Sequence, residues 1–177
     1  ARRMCGRDLI EILLDGGADP TREFRGLTPY AAARVFGNTE LAAALAARGH
    51  DHALDGTVAV LAGAADGSLP DGTFVNPDTA PEGSRDLVRT ILHLPGRLDH
   101  VKRLVDIGME YDRPDTEGLT PVQVAGWEGL PEVLAYFLSL RPDLGHVNGY
   151  GGTLLTTIIH GSENNPARAG RDYTGCL

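Results

Sequence analysis

Apolar residues recur along this chain at helical spacing, in short blocks set apart by glycines. Leu9, Ile10, Leu13 and Leu14 form one stripe across residues 7–14. Gly16-Gly17 ends that block, since glycine readily takes the left-handed C-cap. A second block follows Thr28 over 29–36, and a third, rich in alanine, runs from Thr39 to Arg48 and closes at Gly49. Residues 58–65 are apolar with no proline at their start, and 66–83, full of Gly, Pro, Asp and Asn, read as a loop. Helical spacing resumes at Ser84, an N-cap candidate, as far as about Leu94. It returns from Leu98 to Ile107, with Leu98, Val101, Leu104 and Val105 on one side. Two further blocks, 118–125 and 131–138, flank Gly129. The last begins at Gly151 and runs into a polar stretch, 162–171, read as an extended loop before a final helix near Asp172. The pattern predicts an all-α protein.

One phrase starts two of these blocks. Gly26-Leu27-Thr28-Pro29 and Gly118-Leu119-Thr120-Pro121 each place a threonine where its hydroxyl can cap a helix, with proline at the first helical position. Gln123, three residues after Thr120, completes the spacing of a capping box. A helix start written twice points to a repeat. Gly17 and Gly49 lie 32 residues apart, and Gly118 and Gly151 lie 33 apart. Gly26 and Gly118 lie 92 apart, close to three periods of about 33.

The arrangement resembles the ankyrin repeat, in a divergent, bacterial-type form. Leu13-Leu14-Asp15-Gly16-Gly17-Ala18-Asp19 is similar to that family's repeat ending, and Thr28-Pro29-Tyr30 and Thr120-Pro121-Val122 to its helix start. Ala31 and Gln123 stand where the family usually has histidine, Leu154 replaces a proline, and Gly-Met-Glu-Tyr-Asp at 108–112 replaces Gly-Ala-Asp. The resemblance implies a solenoid of stacked helix–turn–helix repeats, about five to six, some degenerate or truncated. Their expected bounds are a partial repeat at 1–20, repeats at 21–52, 84–112 and 113–147, a degenerate one with a long loop at 53–83, and a partial one with an insertion at 148–177. No such repeat can bury its apolar face alone, so neighbours must stack. Ala32, Ala33 and Ala125 sit where a neighbouring helix should approach. Both ends read as interrupted helices and no methionine begins the chain, so a window of a longer protein is expected.

The resemblance also implies a function, binding of a protein partner through a concave groove and the hairpin tips. Phe36 and Trp127 fall, to within one residue, in matching slots before the helix break, with Glu128 beside the tryptophan. The tip residues are Arg22, Glu23, Phe24 and Arg25, then Arg113, Asp115 and Glu117, then Tyr150. An aromatic residue in such a slot is a typical binding hot spot, although Trp127 could instead pack on the next repeat. The mixed tip charges point to no ligand of a single sign. No catalysis is expected. The alternatives are an enzyme built on the polar stretches 66–83 and 162–171, and a structural segment of a larger protein.

Bulk properties narrow the partners. The chain has 177 residues, 42% hydrophobic and 23% charged, with 16 Lys and Arg against 24 Asp and Glu for a net charge of −8. That balance disfavours nucleic acid and anionic membrane surfaces. No apolar run has the length of a membrane span. The two cysteines, Cys5 and Cys176, lie near opposite ends, which speaks against a disulfide framework and for a reducing, cytoplasmic setting. Cys5 reads as a core-facing or idle thiol. His50-Asp51-His52 has a metal-like spacing but no further ligand at a convincing distance, and reads as a solvated turn. His160-Gly161-Ser162-Glu163 lacks the context of a nucleophile elbow. Gly149-Tyr150-Gly151-Gly152 lacks the Gly-Lys-Ser/Thr of a phosphate loop and reads as a hairpin tip. Asp99-His100 reads as an exposed pair, and Arg2, Arg3 and Arg7 as a small basic cluster. No metal or cofactor is expected, and the chain is expected to be monomeric.

Overall fold

The computed structural model describes residues 6–177; Cys5, Arg2 and Arg3 lie outside them. Among the described residues the chain forms nine α-helices and no strand, only an isolated bridge between Phe24 and Leu27. The helices are α1 (Arg7–Asp15), α2 (Pro29–Val35), α3 (Thr39–Ala46), α4 (Gly56–Asp66), α5 (Leu87–Thr90), α6 (Leu98–Asp106), α7 (Pro121–Trp127), α8 (Pro131–Ser139) and α9 (Leu154–Asn164). None is long and apolar enough to cross a membrane.

Four of the nine helix starts are made by side chains standing where the sequence puts them. Thr28 accepts from the Ala31 amide at 3.2 Å, Asn38 from Leu41 at 3.0 Å and Thr153 from Thr156 at 3.4 Å. At α7 the Gln123 side chain reaches back to accept from the Thr120 amide at 3.3 Å. Each such bond satisfies an amide that the helix itself leaves open.

The chain divides into two compact units. One holds the described residues up to Leu87 with Lys102–Met109, the other Val88–Val101 with Glu110–Leu177, so the division runs through α5 and α6. In the N-terminal unit, α2 packs against α3 and α4, and α1 against α3. Ala33 and Ala64 are wholly buried, their small side chains letting the helix backbones come close. Of the stripe on α1 only Ile10 is buried, while Leu9 and Leu13 stay about half exposed. Past α4 the chain is irregular, as expected for 66–83, apart from single 3-10 turns at Pro77–Thr79 and Glu82–Ser84. It turns back toward the start of α4, where Thr79 meets the Thr57 hydroxyl at 3.1 Å. On the way Val75 donates to the Ile107 carbonyl at 2.7 Å, and the Phe74 ring lies over Gly108.

Three expected elements come out differently. The helix foreseen from Ser84 to Leu94 is only α5 followed by a 3-10 turn, Ile91–His93, and Ser84 does not cap it. The Ser84 hydroxyl donates to the Pro81 carbonyl, and Gly83 is tied to the Arg25 carbonyl at 2.9 Å, which holds this segment in its own tight turn. Residues 162–164, expected as loop, belong to α9. Ser162 and Asn164 donate back to the carbonyls of Ile159 and His160, and the helix ends only where Pro166 keeps Asn165 extended. The helix expected near Asp172 is a single 3-10 turn, Thr174–Cys176, because Gly175 falls inside it. That turn packs on α8, while α7 packs against α8, α9 and the Ile91–His93 turn. His100, read as exposed, is buried on the side of α6 that carries Val101 and Leu104.

Candidate functional site: a groove under two matched turns

Two loops of the C-terminal unit are built alike. The Asp115 carboxylate accepts from the amides of Glu117 at 2.9 Å and Leu119 at 2.8 Å, and Gly118 donates to the Asp115 carbonyl at 3.0 Å. The Asn148 side chain accepts from Tyr150 at 3.0 Å and Gly152 at 2.9 Å, and Gly151 donates to the Asn148 carbonyl at 2.9 Å. Each loop is thus wound around one Asx side chain, and each needs a left-handed glycine, φ 74° at Gly118 and φ 77° at Gly151. Asp115 and Asn148 are 33 residues apart, as are the two glycines. The turns are also joined, since Gly149 donates to the Glu117 carbonyl at 2.8 Å. The N-terminal unit has a counterpart. Phe24 and Leu27 exchange both backbone bonds across Arg25 and Gly26, whose φ values of 51° and 76° make the tight turn favoured in hairpins. The bond from Gly83 to Arg25 repeats there the bond from Gly149 to Glu117.

Beneath the matched turns lies a groove of about 800 Å³, lined by Glu117, Leu119, Asn148, Tyr150, Gly151 and Gly152 from the turns. Val124 and Trp127 of α7, Thr156, Thr157 and His160 of α9, and Arg89 and His93 complete it. Trp127 is half-buried, its ring tilted 45° against His160 at a centroid distance of 5.3 Å. It therefore packs on α9 and still opens to the groove. The Trp127 carbonyl is bound by the Tyr173 hydroxyl at 2.7 Å and by Asn165 at 3.0 Å, which fixes the end of α7. Tyr150 is 71% exposed, and its hydrogen bond to Glu117 raises the phenol above its ordinary value.

Several residues expected to meet a partner are committed inward instead. Phe36 and Glu128 are the C-caps of α2 and α7, so they are the true counterparts, and both are buried. Counted from the capping threonine, the residue matching Trp127 is Val35, which is buried as well. Glu128 has only 6% of its side chain exposed. It meets His93 Nδ1 at 2.8 Å and accepts from Asn165 at 3.2 Å and from Arg171 at 3.0 Å. Arg171 also donates to the His93 carbonyl at 3.2 Å, and its Nη1 is buried with no partner. Burial, followed by the Glu128 charge, raises the Tyr173 phenol. This cluster clasps the irregular 165–176 segment to the end of α7. Sequence reasoning missed it, and the one available signal was an arginine closing the polar stretch with a tyrosine two residues on.

The remaining candidates are placed as follows. Asp115 pairs with Arg89 at 3.1 Å, with 9% of its side chain exposed, and organises its turn rather than facing solvent. Arg113 is exposed and pairs with Glu110 at 3.0 Å. Phe24 is 72% exposed at its tip, and Arg25 pairs with Glu82 at 3.5 Å. Glu117 and Tyr150 are the tip residues that line the groove, and Trp127 is the slot residue that does. Among the described residues no three His, Cys, Asp or Glu side chains converge for a metal ion. The Cys176 thiol is half-buried, and burial followed by the Asp172 charge raises its pKa, which disfavours the reactive thiolate. No family model matches this sequence, and no curated protein matches it either.

Proposed function

We propose that the chain is a divergent ankyrin-like solenoid that binds a protein partner in the groove of its C-terminal unit, as a monomer and without catalysis. A cytoplasmic setting suits the cysteine usage and the charge. The matched turns at a 33-residue spacing support the repeat reading, as does the way α2, α3 and α4, and α7, α8 and α9, pair with their neighbours. The observation that carries the function is the groove itself, about 800 Å³ with Trp127 opening into it. Its walls are held by backbone bonds and by Asp115, Asn148 and Glu128. A partner would therefore meet a surface already ordered, with little entropy lost on binding.

A photo-crosslinking residue at Thr156, in the groove, tests this against one at Ala135, exposed on α8. Crosslinking in cells to a discrete protein from position 156, absent from 135 and lost with Trp127→Ala in the same chain, is the expected result. Equal labelling from both positions would place binding elsewhere, and labelling from 156 that survives Trp127→Ala would remove the tryptophan from the account.

A further inference from the structure

The charges around the groove are not equally available. Arg89 is opposed by Asp115 at 3.1 Å, and Glu128 is opposed by Arg171 at 3.0 Å. His93 is bonded to that same Glu128. Glu117 stands apart. Its carboxylate takes part in no ion pair among the described residues, it has the neutral Tyr150 phenol beside it, and it is exposed. So the charges that looked mixed along the sequence cancel in pairs, and one negative group remains facing the groove. It is accompanied by two aromatic rings, Tyr150 and Trp127, that line the same space. A carboxylate beside aromatic faces suits a cation. The rings attract it through their quadrupoles, the carboxylate through its charge, and a guanidinium can do both at once by stacking and forking. The chain's net charge of −8 acts in the same direction at long range.

We propose that the groove takes an extended segment of the partner by a positively charged side chain, arginine being the best fit, lodged at Glu117 and Tyr150, with the rest of the segment running along the groove past Trp127. This rests on the groove being the binding surface, and its test separates the two. Trp127 is the chain's only tryptophan, so its fluorescence reports on this place alone. The probes are uncharged glycine–serine heptapeptides with arginine, citrulline or glutamate at the centre, titrated into the intact protein at low salt. The arginine peptide should change the emission saturably and bind about tenfold more tightly than the citrulline one, which has the same shape without the charge. Glu117→Gln should remove most of that difference, and Tyr150→Ala should weaken arginine binding severalfold. Both sites are exposed, and circular dichroism would show the fold retained. Raising the salt should weaken the arginine peptide alone. Equal binding of arginine and citrulline, or preference for glutamate, would overturn the cation while leaving the groove. Failure of all three peptides to affect Trp127 would overturn both.

Discussion

Glu128→Ala is the sharpest test of how the C-terminal segment is held. The carboxylate is buried with 6% of its side chain exposed, and it faces His93, Asn165 and Arg171, whose own side chain is 7% exposed. Hydrogen bonds to a charged group contribute about 1.5–3 kcal/mol each, but those sharing one carboxylate do not add. The larger effect is what the substitution leaves behind. Arg171 would remain buried with no opposing charge, in a place where Nη1 already lacks a partner. Breaking one side of a buried pair costs about 3–5 kcal/mol, and we expect a loss in that range from urea denaturation followed by circular dichroism. Against a typical total of about 5–15 kcal/mol, this takes away a large share of the stability. Arg171→Met alone should cost about as much, and the double variant less than the sum, by at least 1.5 kcal/mol, because the second change removes the charge that the first one strands. Hydrogen exchange should show the amides of 165–176 opening first in the single variants. A loss under 1 kcal/mol for Glu128→Ala, or strict additivity in the cycle, would refute the clasp.

Two further outcomes follow from the packing. A Cβ at Gly161 would lie 2.5 Å from the Trp127 carbonyl oxygen and 2.9 Å from its Cα, so Gly161→Ala must push α9 off α7. A net loss of about 1–2 kcal/mol is expected despite alanine's better helix propensity, with a shift in Trp127 emission, whereas Gly170→Ala, which meets open space, should do neither. The Asp66 carboxylate is raised by burial but, on balance, lowered below its ordinary 3.8 by bonds from Ser68 and from Arg34 at 2.9 Å. The native state therefore releases this proton more readily than the unfolded chain. The stabilisation is whole above 3.8 and is lost as the pH falls through the folded value. The pair is well exposed, so Asp66→Asn should cost under about 1 kcal/mol at pH 7 and nothing in strong acid; a difference that grows in acid would contradict the assignment.

What the sequence disclosed is local, and what it hid depends on contacts. Thr28, Asn38 and Thr153 cap helices whose starts could be read from a few neighbouring residues, because the capped amide is only three positions away. Which residue before a glycine break faces outward is harder to read: Val35 and Phe36 are both buried, whereas Trp127 is half-buried. A glycine break gives a helix end to within a residue or so, yet one residue on a helix is a turn of about 100°, enough to exchange Trp127 for Glu128. The clasp was hidden altogether, since 43 residues separate Glu128 from Arg171 and no periodicity links them. A polar residue in a polar stretch looks solvated until the fold supplies its partner. The same holds for the groove charges: Arg89, Asp115 and Glu117 look alike in sequence, and only the bond between the first two leaves the third as the group with charge to offer. The division follows from range. Turn and cap chemistry is written within four residues and can be read, whereas the charge a surface presents is what remains after distant pairs have cancelled.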